Sequence, residues 1–218
     1  MEKLHVIWDL DGTLINSERE VLDALVKSVR EAGLSEESQK AAFRVGPTID
    51  KILEAAFSSD VLTAEKKASV VAAFRNNYDN CGFNNTPAFE GVEDILKCGN
   101  FVHHIVTNKP DLATGRILEK LGWKNFFVSV ITPYSFMKES DDRRKSKSEL
   151  FALCMADFPN ARFVGVGDMD TDARAALDNK IPAIGVLWGT GTREELRSAS
   201  CGRLAETVAE LKEILDTL

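Results

Sequence analysis

Residues 5–14 read His5-Val6-Ile7-Trp8-Asp9-Leu10-Asp11-Gly12-Thr13-Leu14. An apolar run with the look of a buried strand stops on two carboxylates spaced two apart, then turns at Gly-Thr. Residues i and i+2 of a strand share a face, so Asp9 and Asp11 leave the sheet edge pointing into one pocket. Acids this close repel each other, and a fold tolerates them mainly where a cation or a proton sits between them. The pattern points to a carboxylate nucleophile, a second carboxylate for proton transfer and a hard metal ion between them. Asp-x-Asp-Gly alone also fits a plain polar turn at a strand end. Segments further along the chain decide between the two.

Working outward, short apolar runs recur at about 4–9, 101–107, 126–131, 162–167 and 183–188. Two of them, 162–167 and 183–188, are apolar almost throughout, as strands buried on both faces of a parallel sheet are. Helical patterns fall between them at about 90–98, 111–121, 147–157 and 171–179, with a last one at 206–217. This alternation predicts an α/β domain with a doubly wound, Rossmann-like parallel sheet. Residues 17–85 break it. Val21, Leu22, Leu25, Val26 and Val29 form one helical stripe that stops near Gly33. A second segment runs from Ile49 to Phe57, and a third follows Thr63 with Val70, Val71, Phe74 and Tyr78 on one face. The reading is a core of 1–16 and 86–218 with an all-helical unit of 17–85 inserted after the first strand, its return marked by a polar stretch ending at Pro87.

Composition excludes several classes. The chain has 218 residues, 44% hydrophobic and 28% charged, which suits a soluble globular protein with a sizeable core. A net charge of −7 argues against nucleic acid, whose phosphates demand clustered Lys and Arg. The densest basic cluster, Arg143-Arg144-Lys145 with Lys147, is short and follows two aspartates. The four cysteines show no Cys-x-x-Cys spacing and read as reduced thiols. No run is long enough to span a membrane and no signal-peptide core opens the chain, so the expected location is the cytoplasm.

Three more segments carry chemistry. Thr107-Asn108-Lys109-Pro110 ends a strand on a hydroxyl and an amide just before a helix, whose free N–H groups suit phosphate; it also fits an ordinary turn. Ser146 and Glu149 have capping-box spacing, which starts a helix at Lys147. A cation is unfavourable there unless it neutralises an anion, although a solvated surface lysine fits as well. Gly167-Asp168-Met169-Asp170-Thr171-Asp172 ends another apolar strand in acids, with Asp168 placed to join Asp9 and Asp11 on Mg²⁺. Asp170, and Asp172 as an alternative to a metal role, read as caps of the next helix.

Taken together, Asp-x-Asp-Gly-Thr-Leu, Thr-Asn-Lys-Pro, a lysine and Gly-Asp-x-x-x-Asp resemble the four motifs of the haloacid dehalogenase superfamily. The helical insertion is similar to its C1-type cap. Residues 181–189 and the Thr107–Pro110 wording are most similar to phosphoglycolate-phosphatase-like members. The resemblance implies Asp9 as the nucleophile that becomes an aspartyl-phosphate and Asp11 as general acid and base. It implies Thr107 and Asn108 as phosphate holders, Lys147 as the neutralising cation, and Mg²⁺ on Asp9, Asp11 and Asp168 with Asp172 as ligand or support. The usual Lys-Pro-x-Pro of the third motif is absent. Lys145 is the other candidate, with Ser146 and Ser148 at the proline positions. The implied substrate is a small phosphorylated metabolite and the implied state a monomer or homodimer, with neither nucleic acid nor membrane as partner. A sugar-phosphate mutase shares every motif, and a catalytically silent binding member is a further alternative. A dehalogenase has no use for the second acid, and a receiver domain is shorter and lacks the insertion. In the inserted unit, Arg44, Gly46, Pro47 and Arg75 are candidates for substrate contact or for ordinary surface.

Overall fold

The computed structural model describes residues 3–35, 43, 45–135 and 145–218. They fall into two compact units, one of Met1–Asn16 with Ala88–Leu218 and one of Ser17–Pro87. In the first, six parallel strands run β1 (Leu4–Trp8), β2 (Phe101–Val106), β3 (Phe127–Ile131), β4 (Phe163–Gly167), β5 (Ala183–Val186) and β6 (Arg203–Ala205). Their spatial order is β3-β2-β1-β4-β5-β6. This is a doubly wound Rossmann-like sheet. The chain lays β2 and β3 on one side of β1 and then returns to place β4, β5 and β6 on the other. The crevice beside β1 and β4 at their carboxyl ends is where such sheets bind ligands.

The flanking helices are α4 (Val92–Lys97), α5 (Asp111–Lys120), α6 (Lys147–Ala156), α7 (Asp170–Asp178), α8 (Arg193–Ser198) and α9 (Val208–Asp216). On one face of the sheet Ile7, Val106, Ile131 and Phe163 pack against Leu150, Phe151 and Cys154 of α6 and Ala175 and Ala176 of α7. Ile7 and Leu150 are wholly buried, and truncating either to alanine would cost roughly 2–5 kcal/mol. Gly165 lets α6 approach, since a Cβ there would sit 3.0 Å from the Phe151 ring. The same face carries a polar seam. His5 Nδ1 lies 2.9 Å from His104 Nε2, and His104 Nδ1 lies 2.8 Å from the Ser129 hydroxyl. On the opposite face Trp8 Nε1 donates to His103 Nδ1 at 3.0 Å. Burial pushes both His103 and His104 down to about 4.

The short elements α8 and β6 were not anticipated from the sequence: six and three residues are too few for a periodicity to show. Their ends are set instead by a capping box on Thr192 and Glu195 and by pairing of β6 to β5.

The second unit holds α1 (Glu18–Glu31), α2 (Ile49–Ala56) and α3 (Ala64–Asp79). Val21, Leu25 and Val29 of α1 are buried, as are Val70, Phe74 and Tyr78 of α3. Thr63 caps α3 by accepting from Lys66 N–H. This unit extends to Pro87, two residues past the boundary read from sequence, because the Glu20 carboxylate accepts from Asn84 N–H, Asn85 N–H and the Thr86 hydroxyl. Arg75 is exposed on α3, as are Gly46 and Pro47 just before α2; Arg44, like Arg143 and Arg144, lies outside the described residues. Among the described residues no helix is long and apolar enough to cross a membrane.

Candidate active site

Asp9 directly follows β1, Thr107 follows β2 and Asp168 follows β4, so parallel pairing brings all three to one edge of the sheet. Asp9 N–H donates to Val166 O at 2.9 Å, and its side chain is buried. Ser146 caps α6 by the reciprocal box with Glu149. Lys147 is therefore the first residue of α6, and its buried side chain turns inward. Its ammonium stands 2.7 Å from Asp9 Oδ1 and also pairs with Asp172.

Asp9, Asp168 and Asp172 each offer a carboxylate oxygen, all within 4.8 Å of one another and all buried. The reading from sequence gathered four acids here. The structure brings together three, and the Asp11 carboxylate is held elsewhere, by Lys109 Nζ at 2.7 Å and 2.9 Å from its two oxygens. Asp170 does not cap α7 either. It is the first helical residue and pairs with Arg174, while Asp172 accepts from Met169 N–H at 3.0 Å and so does the capping.

Asp168 sits in a cradle built by glycine. Thr190 donates to its Oδ2 through N–H at 2.8 Å and through its hydroxyl at 3.1 Å, and Thr13 reaches Oδ1 at 3.4 Å. A Cβ at Gly12 or Gly189 would collide with the Asp168 carboxylate, and one at Gly191 with its main chain. A Cβ at Gly167 would collide with Asp172 in the same way. Trp188 Nε1 fastens this loop to the first one by donating to Thr13 O at 3.1 Å. The Thr107 hydroxyl accepts from Lys109 N–H at 3.1 Å, which leaves its own proton to donate. Asn108, next to it, is half-buried.

The electrostatics follow from this crowding. Burial, reinforced by Asp172 and Asp11, pushes Asp9 up to about 7 against the pull of Lys147. Burial and Asp9 push Asp168 up to about 6, and burial raises Asp172 also. Burial works against the Lys147 ammonium, but Asp172 and Asp9 outweigh it and drive its pKa upward. When ionised, Asp9, Asp168 and Asp172 outweigh the Lys147 ammonium beside them by two charges, which one divalent cation would neutralise. The all-oxygen donor set is that of a hard cation.

Residues 6–186 match the family model of haloacid dehalogenase-like hydrolases. The chain belongs to that family. It is 28% identical over 204 residues to a phosphoglycolate phosphatase of Xylella fastidiosa, covering 87% of this chain and 82% of that one. It is likewise 28% identical over 218 residues to the tyrosine-protein kinase PtkA of Mycobacterium tuberculosis, covering 96% and 72%. A crystal structure of a predicted phosphatase from Clostridium acetobutylicum superposes with a TM-score of 0.83 over 100% of both chains at 23% identity, a likeness of fold.

Lys109, Thr190, Gly189 and Gly191 had no role in the sequence reading. The only signals were a lysine just past Thr107-Asn108 and a Gly-Thr-Gly after an apolar run.

Proposed function

We propose that this hydrolase is a Mg²⁺-dependent phosphatase that cleaves a small phosphomonoester through an aspartyl-phosphate on Asp9. One observation carries the reading: buried Asp9, Asp168 and Asp172 bring carboxylate oxygens within 4.8 Å of one another, with Lys147 against Asp9. Asp9, Asp168 and Asp172 would hold the cation, and Thr190 and the glycine cradle fix Asp168 for it. Bound there, Mg²⁺ supplies charge that keeps these acids ionised and offsets that of the phosphoryl oxygens.

The chain's own residues do the rest. An Asp9 oxygen attacks phosphorus, and the bond from phosphorus to the leaving oxygen breaks as Asp11 gives that oxygen its proton. Asp11, now a carboxylate, takes a proton from water as the water oxygen attacks the aspartyl-phosphate. Asp9 is released with inorganic phosphate. Thr107 and Asn108 donate to phosphoryl oxygens, and Lys147 neutralises charge that develops on them. The helical unit of 17–87 serves as a C1-type cap that selects the leaving group.

The test is phosphate release from a panel of small phosphomonoesters, including phosphoglycolate, sugar phosphates and nucleotides, with Mg²⁺ or with EDTA. Turnover is expected with Mg²⁺ alone, and Asp9→Asn should abolish it. Release in EDTA, or an active Asp9→Asn, would overturn the reading; isomerised sugar phosphate in place of free phosphate would mark a mutase.

A further inference from the structure

The two acids of the Asp-x-Asp pair are held by different cations. Lys147 pairs with Asp9 and Asp172, whereas Lys109 grips both oxygens of Asp11. The Lys109 side chain is 4% exposed and that of Asp11 21%, so this is not a solvated surface pair. The main chain on both sides is fixed. Gly12, at φ +78°, donates its N–H to Ile15 O, which folds the loop carrying Asp11 back on itself, and Lys109 N–H donates to the Thr107 hydroxyl.

We propose that Lys109 is the positioning residue of Asp11. Resting on the phosphatase reading above, the assignment is that the ammonium keeps this carboxyl group out of the acid cluster and aimed at the leaving oxygen. A carboxylate two residues from Asp9 is otherwise drawn toward the same cation, where it is useless for proton transfer. Lys109 stabilises the alternative placement. Both Asp11 oxygens face Lys109 while the group is a carboxylate, as in the water step; when the group is protonated, one oxygen keeps the ammonium contact and the other gives it up to carry the proton to the leaving oxygen.

Positioning of an acid has a signature that phosphate binding and general stability lack: it matters only when the leaving group needs a proton. Lys109→Met is therefore measured by rapid mixing with two substrates, an alkyl phosphate and 4-nitrophenyl phosphate, whose phenolate leaves unaided. Formation of the phosphoryl-enzyme from the alkyl phosphate is expected to slow by roughly 10²-fold or more, the scale of a lost general acid. With 4-nitrophenyl phosphate the first-turnover burst of nitrophenolate should persist within about 3-fold, followed by a slower steady state because Asp11 also serves the water step.

Asp11→Asn supplies the comparison, and Lys109→Met added to it should cost almost nothing more. That double variant carries neither charge, so it remains testable where Lys109→Met alone does not fold. Equal slowing of both substrates, a rise in KM for both with kcat intact, or a further loss on top of Asp11→Asn would each overturn the assignment and make Lys109 a phosphate ligand or a structural residue. An active Asp9→Asn would instead overturn the phosphatase reading.

Discussion

Replacing Lys147 by Met tests the centre of the site because the size of the effect follows from its contacts. The methionine fills a similar volume and removes a buried ammonium 2.7 Å from Asp9 and paired with Asp172. Two buried carboxylates then lose the protein's own counter-charge. Orphaning one partner of a buried pair costs about 3–5 kcal/mol, and each kcal/mol shifts the midpoint of a chain this size by about 2–4 °C. Thermal unfolding in EDTA, followed by circular dichroism, should therefore fall by roughly 6–20 °C, with partial recovery in Mg²⁺. Catalysis loses a preorganised charge at the phosphoryl group, about 2–4 kcal/mol, or roughly 30- to 1000-fold in kcat. Lys145→Ala, just before the Ser146 cap of α6, should stay within about 0.5 kcal/mol in stability. If Lys147→Met melts with the parent and keeps its kcat while Lys145→Ala loses it, the lysine assignment moves to Lys145.

Thr190→Val removes the hydroxyl held 3.1 Å from Asp168 and keeps the N–H; Mg²⁺ affinity by calorimetry should weaken roughly 10-fold or more, and an unchanged affinity would remove Thr190 from the metal site. Asp9 and Asp168 are raised to about 7 and about 6 in the folded protein without a cation. Their contribution to stability is full below about pH 4 and is lost as pH rises through 6 to 7, because the unfolded chain gives up those protons first. The gain in Tm on adding Mg²⁺ should hence be larger at pH 7.5 than at 5.5; His103 and His104 act in the opposite sense but cancel in this difference, and equal gains would contradict the electrostatic account. Exchanging 17–87 for the cap of a related phosphatase should change the substrate ranking and leave Mg²⁺ dependence intact; a folded chimera with the parent's ranking would show that this unit does not choose the substrate.

How much of the site could be read beforehand depended on whether a local pattern fixed the residue. Asp9 and Asp168 were found because apolar strands run straight into them, and parallel strands deliver their carboxyl ends to one edge. Lys147 was found through the Ser146–Glu149 box, which sets the helix start to the residue. The pairing of Asp11 with Lys109 was not, since nothing in a periodicity says how far a lysine from the neighbouring loop will reach. Nor was the cradle of Asp168. Gly189 and Gly191 are ordinary loop glycines until the carboxylate and the main chain of Asp168 are packed where their Cβ atoms would be. The six-stranded sheet was one strand short in the reading because β6 is three residues long and owes its existence to β5.

The place of β1 in the sheet also bears on the order in which the molecule can assemble. This first strand is the central one: Leu4 pairs with Phe101 on one side and His5 with Phe163 on the other. Asp9 and β1 precede every element they must meet, and β1 has no neighbour in the sheet until the whole insertion and β2 have followed. Helices α1 and α3, by contrast, pack on each other across a shorter span of chain than separates β1 from β2, and contacts of smaller sequence separation form faster. The helical unit can thus be complete while the strand that ends at Asp9 is still waiting. The acid cluster is complete only once Asp168 and Asp172 are in place, and Thr190 follows them in the chain, so the candidate site is assembled from segments that are synthesised far apart. A chain cut short during synthesis before β4 would have Asp9 without the Asp168 and Asp172 that gather around it.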